Sequence, residues 1–504
     1  MSFAAVCMLV ASCAPAAAAL VQPEPPPAPS PAPRAKAKLV RASRLDLAAA
    51  YLRLERTLAR VSLTPEQTAD INRRFDQASI AFFSGQYAGA VRTLSEIVRE
   101  REGRALSPGL AVAECVQVKP SHAVFHPGNA ESSSIAIEPM FIPASDRTEA
   151  SVDLVLALLD AKSRPVWTTG VTLAMAGGAP LAVRLAVSDY FPQWPRGDFT
   201  LALQTGEVTI EKCRVTIADR SMDEARKTLL GRLAAVPVDA PAQVVRAAAV
   251  AASRAECLGD EFDAKSSRRF LASQLALDTL VSAEVDAVLA GKNPYRHLSG
   301  DHWRTFGGAG GVPCRVYAPE AALKASAPLV VAFHGAGGDE SMFFEGYGAG
   351  AIKTLADKHG CIVVCPQTER ASSAGAFDKV LEDIAADYEI DPKRTYILGH
   401  SMGASAVASL AAARGGKVAA ACCIAGSAWS KPATTGRLAP TLTIAAELDP
   451  LFGIARARKA AESIKPPDEF IEIKGYGHTL VVGSQLPRAI EWLLARSLDE
   501  PAAR

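Results

Sequence analysis

The residues best suited to chemistry stand in the C-terminal third of the chain. Ser401 lies in Gly399-His400-Ser401-Met402-Gly403, between the β-like run RTYIL and an alanine-rich helical run. A serine hydroxyl is a weak nucleophile at neutral pH, so the pattern becomes chemistry only with a base beside it. His478 is the one histidine that follows Ser401 in the sequence, on a loop loosened by Gly475 and Gly477. An acid must orient that imidazole, and Asp449 closes the run TLTIAAELDP. Glu447 is the alternative acid, but it falls two residues earlier, inside the same run. Charge developing on a substrate oxygen needs preorganised N–H donors. The amide of Met402 is one candidate. The amide of Ala336, in the loop His334-Gly335-Ala336-Gly337-Gly338, is the other, with Gly335 and Gly337 as alternatives. A nucleophile, a base, an orienting acid and an oxyanion hole together describe acyl transfer. His400 is not the base, because a residue next to a serine on such a turn points away from it; a packing role is expected.

These residues need a scaffold that delivers all of them to one edge. From residue 301 onward, short apolar runs alternate with helical stretches. The runs are VPCRVYAPE, APLVVAFHG, CIVVCPQ, RTYILGHS, VAAACCIAG, LTIAAELDP and EFIEIKGYG. Helices are expected near 341–358, 375–388, after Ser401, near 453–464 and near 484–497. The alternation predicts a mostly parallel sheet with helices on both faces. In such sheets ligands bind beyond the carboxyl ends of the strands, where Ser401, Asp449, His478 and the 334–338 loop all fall. The G-x-S-x-G spacing places small residues where a sharp strand-to-helix turn brings backbones together.

On VVAFHGAGG, DYEIDPKRTYILGHSMGA, AELDP and GYGH, residues 311–497 resemble the α/β-hydrolase superfamily. The likeness is to its secreted esterase and dienelactone-hydrolase-like branch, and it covers about two-fifths of the chain. It implies a Ser401, Asp449, His478 triad in that chain order, no cofactor and no metal. The expected activity is cleavage of a carboxylic ester, small or polymer-attached. The interval 427–440, where relatives insert a lid, is short here, so an open site is expected. Trp429, Phe343, Phe344 and Tyr347 either line that site or pack beneath it. Two other readings stay open: a tethered binding protein with an idle hydrolase domain, and a serine peptidase of the prolyl-oligopeptidase type. No blade repeat supports the latter.

The rest of the chain divides by pattern. Residues 39–110 predict a helical hairpin, opened by the capping signal Thr64-Pro65-Glu66. Ala78, Phe82, Gly85, Tyr87 and Ala90 resemble part of one tetratricopeptide unit, but no repeat follows. Residues 111–218 hold seven strand-like runs, from AVAECVQVKP to VTIEKCRVTI, which predict an antiparallel, immunoglobulin-like β-sandwich. Residues 219–300 return to helix, with Gly291 and Pro294 as terminators, before the hydrolase-like 301–498. His122 and His126 flank a loop without a third metal ligand. The formal net charge of +1 argues against a nucleic-acid binder.

The N-terminus predicts export. Residues 1–20 form an apolar run of signal-peptide length, though without Lys or Arg at its start. Cleavage before a lipidated Cys13, in Val10-Ala11-Ser12-Cys13, competes with cleavage among Ala16 to Ala19. Residues 21–38 form a linker whose seven prolines all fall within 22–33. That stretch would make a polyproline spacer of roughly 35 Å. The basic residues of 34–60 suit either an anionic bilayer or a solvated helix face. Export permits disulfides, and Cys115 with Cys213 is the candidate pair. Cys361 and Cys365 lie too far apart along one strand to bridge, and Cys422 and Cys423 face opposite ways.

Overall fold

The computed structural model describes residues 37–143, 149–263, 266–308, 310–426, 438–462 and 469–499. The expected signal segment, Cys13, residues 22–33 and Trp429 lie outside them.

Three helices come first: α1 (Arg44–Leu58), α2 (Pro65–Phe83) and α3 (Tyr87–Arg101). Capping boxes set the first two. The Ser43 hydroxyl accepts from the Asp46 amide, and the Thr64 hydroxyl from the Gln67 amide, with Pro65 in the first turn. Leu54, Ile71, Phe75, Leu94 and Ile97 make their shared core, which also takes in Leu480 from far along the chain. The buried face of α2 holds two polar residues one turn apart, Asn72 and Asp76. Buried polar side chains must find partners, and these two find theirs at the candidate site.

Residues 116–217 form two sheets around one core. Val116–Pro120, Ser134–Pro139 and Val183–Ala186 make a three-stranded sheet. The other is six-stranded, with Ser151–Leu159 between Pro165–Ala176 and Gly197–Thr205, and Val208–Ile217 beyond. Each of the seven expected runs contributes a strand. The first run does so only in its second half, because Pro108–Cys115 is an α-helix capped by the Ser107 hydroxyl. Cys115 therefore ends a helix, while Cys213 points its thiol at the Val118 carbonyl. Both are buried free thiols, so the expected disulfide is absent. Helices Met222–Leu233, Ala242–Ala255 and Gln274–Leu289 follow and pack on one another.

The C-terminal portion is an eight-stranded sheet. Its strands are β1 (Gly300–Phe306), β2 (Val312–Ala318), β3 (Ala327–Phe333), β4 (Ile362–Pro366), β5 (Ile390–His400), β6 (Ala420–Ile424), β7 (Thr441–Ala446) and β8 (Glu469–Ile473). The spatial order is β1-β2-β4-β3-β5-β6-β7-β8. β2 is antiparallel to both β1 and β4, and every other pair is parallel. Helices α4 (Ala351–His359), α5 (Ala374–Ala385), α6 (Met402–Ala413), α7 (Ile454–Glu462) and α8 (Leu480–Leu494) flank the sheet. Two apolar clusters, one per face, bury β3, β4, β6, β7 and the second half of β5 completely, and Cys422 and Cys423 fall in different clusters. The expected helix over 341–358 is broken: Gly348 and Ala349 take positive φ, so two short turns precede α4. That kink carries Tyr347.

Candidate active site

Ser401 follows β5 directly and opens α6 with φ +55° and ψ −115°, a conformation that a serine holds only under constraint. The constraint is close packing. A Cβ on Gly403 would lie 2.1 Å from the Phe333 carbonyl oxygen, and one on Gly399 would lie 2.3 Å from that of Gly403. Both glycines let β3, β5 and α6 meet beneath the serine.

The structure brings the three expected residues into one line. His478 Nε2 lies 3.0 Å from Ser401 Oγ, and His478 Nδ1 lies 2.9 Å from Asp449 Oδ2. Asp449 Oδ1 accepts from the amides of Leu451 and Phe452, at 2.8 and 2.9 Å. That leaves Oδ2 to the imidazole and fixes its tautomer: Nδ1 carries the proton and Nε2 faces the serine. Phe452 stacks on the His478 ring at 5.6 Å. Glu447, the alternative acid, turns away and binds the Gly475 amide and Lys474.

The 334–338 loop is held from below. His334 Nδ1 donates to its neighbour's carbonyl at 2.8 Å, and Nε2 accepts from the Thr368 amide at 3.0 Å. Burial lowers the His334 pKa, in keeping with a neutral ring. The Gly335 amide donates to the Tyr347 hydroxyl, at 3.4 Å. The Ala336 and Met402 amides donate to no protein acceptor among the described residues. Of the expected donors, then, these two remain available to a ligand.

Sequence reasoning missed two sets of supporting residues. The first joins the turns. The Tyr347 hydroxyl donates to His400 Nδ1 at 2.7 Å, and His400 Nε2 donates to the His478 carbonyl at 3.0 Å. His400 therefore does more than pack: it ties the serine turn to the histidine loop, and burial keeps it neutral by holding its pKa well below the usual range.

The second set comes from α2. The Gly477 amide donates to Asn72 Oδ1 at 2.8 Å, and the His478 amide to both oxygens of Asp76, at 3.2 and 3.0 Å. A Cβ on Gly477 would meet Asp76 at 2.0 Å, so only glycine allows this approach. Burial pushes the Asp76 carboxyl up to about 6, against the pull of His478. Two hydrogen-bonding side chains one turn apart on an otherwise apolar helix face were the signal available in the sequence.

The site is partly covered, with Phe83 and Leu451 exposed at its mouth. Ser401, His478 and Asp449 are 8%, 6% and 7% exposed. A cavity of about 290 Å³ in front of Ser401 is walled on its far side by α1, α2 and α3. The short 427–440 interval suggested exposure, but the cover comes from the N-terminal helices instead. Tyr347 lines this cavity, whereas Phe343 and Phe344 are fully buried in the sheet's core.

No family model and no curated protein matches the chain. Among solved structures, it is similar to a thermostable esterase, at 23% identity and a TM-score of 0.33. The match covers 39% of this chain and 63% of that esterase, so the chain spans less than two-thirds of it. The fluorophosphonate-binding serine hydrolase F of Staphylococcus aureus gives 16% identity over 39% of this chain and 99% of its own, with a TM-score of 0.32. An acetyl xylan esterase from Aspergillus awamori gives 15% identity, 39% and 99% coverage, and 0.33. These are partial likenesses at low identity.

Proposed function

We propose that this chain is a serine hydrolase that cleaves carboxylic esters through an acyl-enzyme. One observation carries the reading: the unbroken hydrogen-bonded line Ser401 Oγ, His478 Nε2, His478 Nδ1, Asp449 Oδ2. His478 Nε2 takes the hydroxyl proton as Oγ attacks the ester carbonyl carbon. The Ala336 and Met402 amides hold the oxyanion, and Asp449 stabilises the imidazolium. The C–O bond breaks, and the leaving alkoxide takes the proton from Nε2. Water then attacks the acyl-serine with Nε2 as base, the acid departs, and Ser401 regains its proton.

Under this proposal the hydrolase unit is 301–498, and the immunoglobulin-like 111–218 and helical 219–300 are accessory. Export, with or without lipid at Cys13, belongs to the same proposal and rests on residues 1–20; the mass of the mature N-terminal peptide decides it.

A fluorophosphonate probe phosphonylates an activated serine with loss of fluoride. The expected result is one labelled peptide, containing Ser401, and no labelling or ester turnover in Ser401→Ala. Full esterase activity in that variant would refute the assignment. An unlabelled wild-type protein would favour the idle, binding-protein reading.

A further inference from the structure

The cavity in front of Ser401 has two unlike ends. Ser401, His478, Ala336 and Gly337 form the polar end. The other end is apolar and comes from the N-terminal helices: Leu47 and Tyr51 of α1, Phe75, Ala78 and Phe82 of α2, and Leu94 of α3. The two ends touch, since a Cβ on Gly337 would meet the Phe82 ring at 2.7 Å. The apolar wall thus begins where a carbonyl bound to Ser401 would end.

Charge on the wall is already matched. Arg44 pairs with Asp339 at 3.0 Å, and Glu345 with Arg315 at 2.9 Å. A charged group entering the cavity would lose its hydration without gaining a counter-ion, which is strongly unfavourable. Size narrows the ligand further. An apolar cavity of about 150 Å³ accommodates benzene, and this one is about 290 Å³. That is room for one aryl ring with a short chain, or an aliphatic chain of comparable bulk.

We infer that α1, α2 and α3 build the acyl pocket of this enzyme, and that the pocket takes an uncharged apolar acyl group of medium length. The inference rests on the hydrolase reading above. The acyl group, rather than the alcohol, belongs here because it alone stays tethered to Ser401 between the two half-reactions. It needs apolar room beside Oγ while the alcohol departs to solvent.

The test uses the full chain and p-nitrophenyl esters of acetate, butyrate, hexanoate, octanoate and a dicarboxylate half-ester. Specificity, as kcat/KM, should rise about fourfold per added methylene until the cavity fills, and the anionic half-ester should fall below the butyrate. Ala78→Phe should cut the octanoate-to-acetate ratio at least tenfold, and Phe82→Ala should move the optimum to longer chains. Fluorophosphonate labelling of Ser401 is measured in each protein, so that a misfolded variant is recognised and the other one decides. A flat series with Ser401 labelled would overturn the pocket and leave the hydrolase. So would a preference that follows alcohol length in a matched series of alkyl acetates. Absence of labelling in the wild type would overturn both.

Discussion

Glu55 offers the sharpest test of how the N-terminal helices are seated. It lies on α1, is 4% exposed, and accepts from the Tyr51 hydroxyl at 2.8 Å and the Gly348 amide at 3.2 Å. Burial pushes its carboxyl up to about 7 from the ordinary 4.5, despite both hydrogen bonds. The docked state therefore binds a proton more tightly than the undocked one. Docking is favoured by this group below about pH 4.5, weakens as pH rises, and carries the full penalty above about pH 7. At 1.36 kcal/mol per pKa unit, the penalty is about 3 kcal/mol. Glu55→Gln keeps the shape and an acceptor for the Gly348 amide, and it has no proton to lose.

Hydrogen exchange of the α1 amides reads this directly, once intrinsic rates are corrected for pH. Wild-type protection should fall between pH 5 and 8. In Glu55→Gln the fall between pH 6 and 8 should vanish, leaving the lower component from Asp76, which is raised in the same direction to about 6. At pH 8 the variant should exceed wild type by up to about 3 kcal/mol. Identical pH dependence in the two proteins would show that the carboxylate is hydrated and that α1 does not seat as described.

Other perturbations separate the roles at the site. Asp449→Asn should lower kcat by about 10⁴-fold by releasing the tautomer, whereas Glu447→Gln should stay within about twofold, since its partners are Lys474 and the Gly475 amide. Asn72→Ala leaves the buried Gly477 amide unpaired, a loss of about 1–3 kcal/mol; the rate of Ser401 labelling should drop, and an unchanged rate would show that the loop holds itself. Ser401→Gly should resist urea better than Ser401→Ala by about 1 kcal/mol, because glycine relieves the positive φ at a smaller entropic loss.

What the sequence revealed followed from local pattern. Strands β3 to β8 are runs of apolar or alternating residues ending in glycine, proline or aspartate, so their ends, and with them Ser401, Asp449 and His478, could be placed by counting. β1 escaped because its inward face carries His302 and Arg304 beside Phe306, a polar pattern for buried residues. The run AVAEC fits helix or strand equally, and only the cap at Ser107 decides it. Phe343 and Phe344 fell on a stretch that looks helical but is broken by Gly346, Gly348 and Gly350. None of this concerns the cover of the site. That is a contact between residues 402 positions apart, which no local period reports.

Such a distant cover is physically inexpensive. Loop-closure entropy rises by only about 0.6 kcal/mol per doubling, so drawing the cover from tenfold farther along the chain costs about 2 kcal/mol. Intervening structure reduces even this, because α1 is already held by the two-sheet unit of residues 116–217: Leu45 packs against its core and Arg56 pairs with Glu211 at 2.9 Å. Against it stand the hydrogen bonds that Asn72 and Asp76 accept from the Gly477 and His478 amides, at about 0.5–1.5 kcal/mol for a neutral acceptor and about 1.5–3 kcal/mol for a charged one, and the shared core of α1 to α3 with Leu480. While the Glu55 and Asp76 carboxyls hold their protons, these terms favour a seated cover. It also makes α1 to α3 part of the site. Deleting residues 39–103 should leave the sheet with two unpaired amides at Gly477 and His478, an exposed Leu480 and no acyl wall. The expected outcome is a protein that labels slowly at Ser401 and has lost its chain-length preference. A deletion that keeps both would place specificity in the sheet's own loops and return α1 to α3 to a purely structural part.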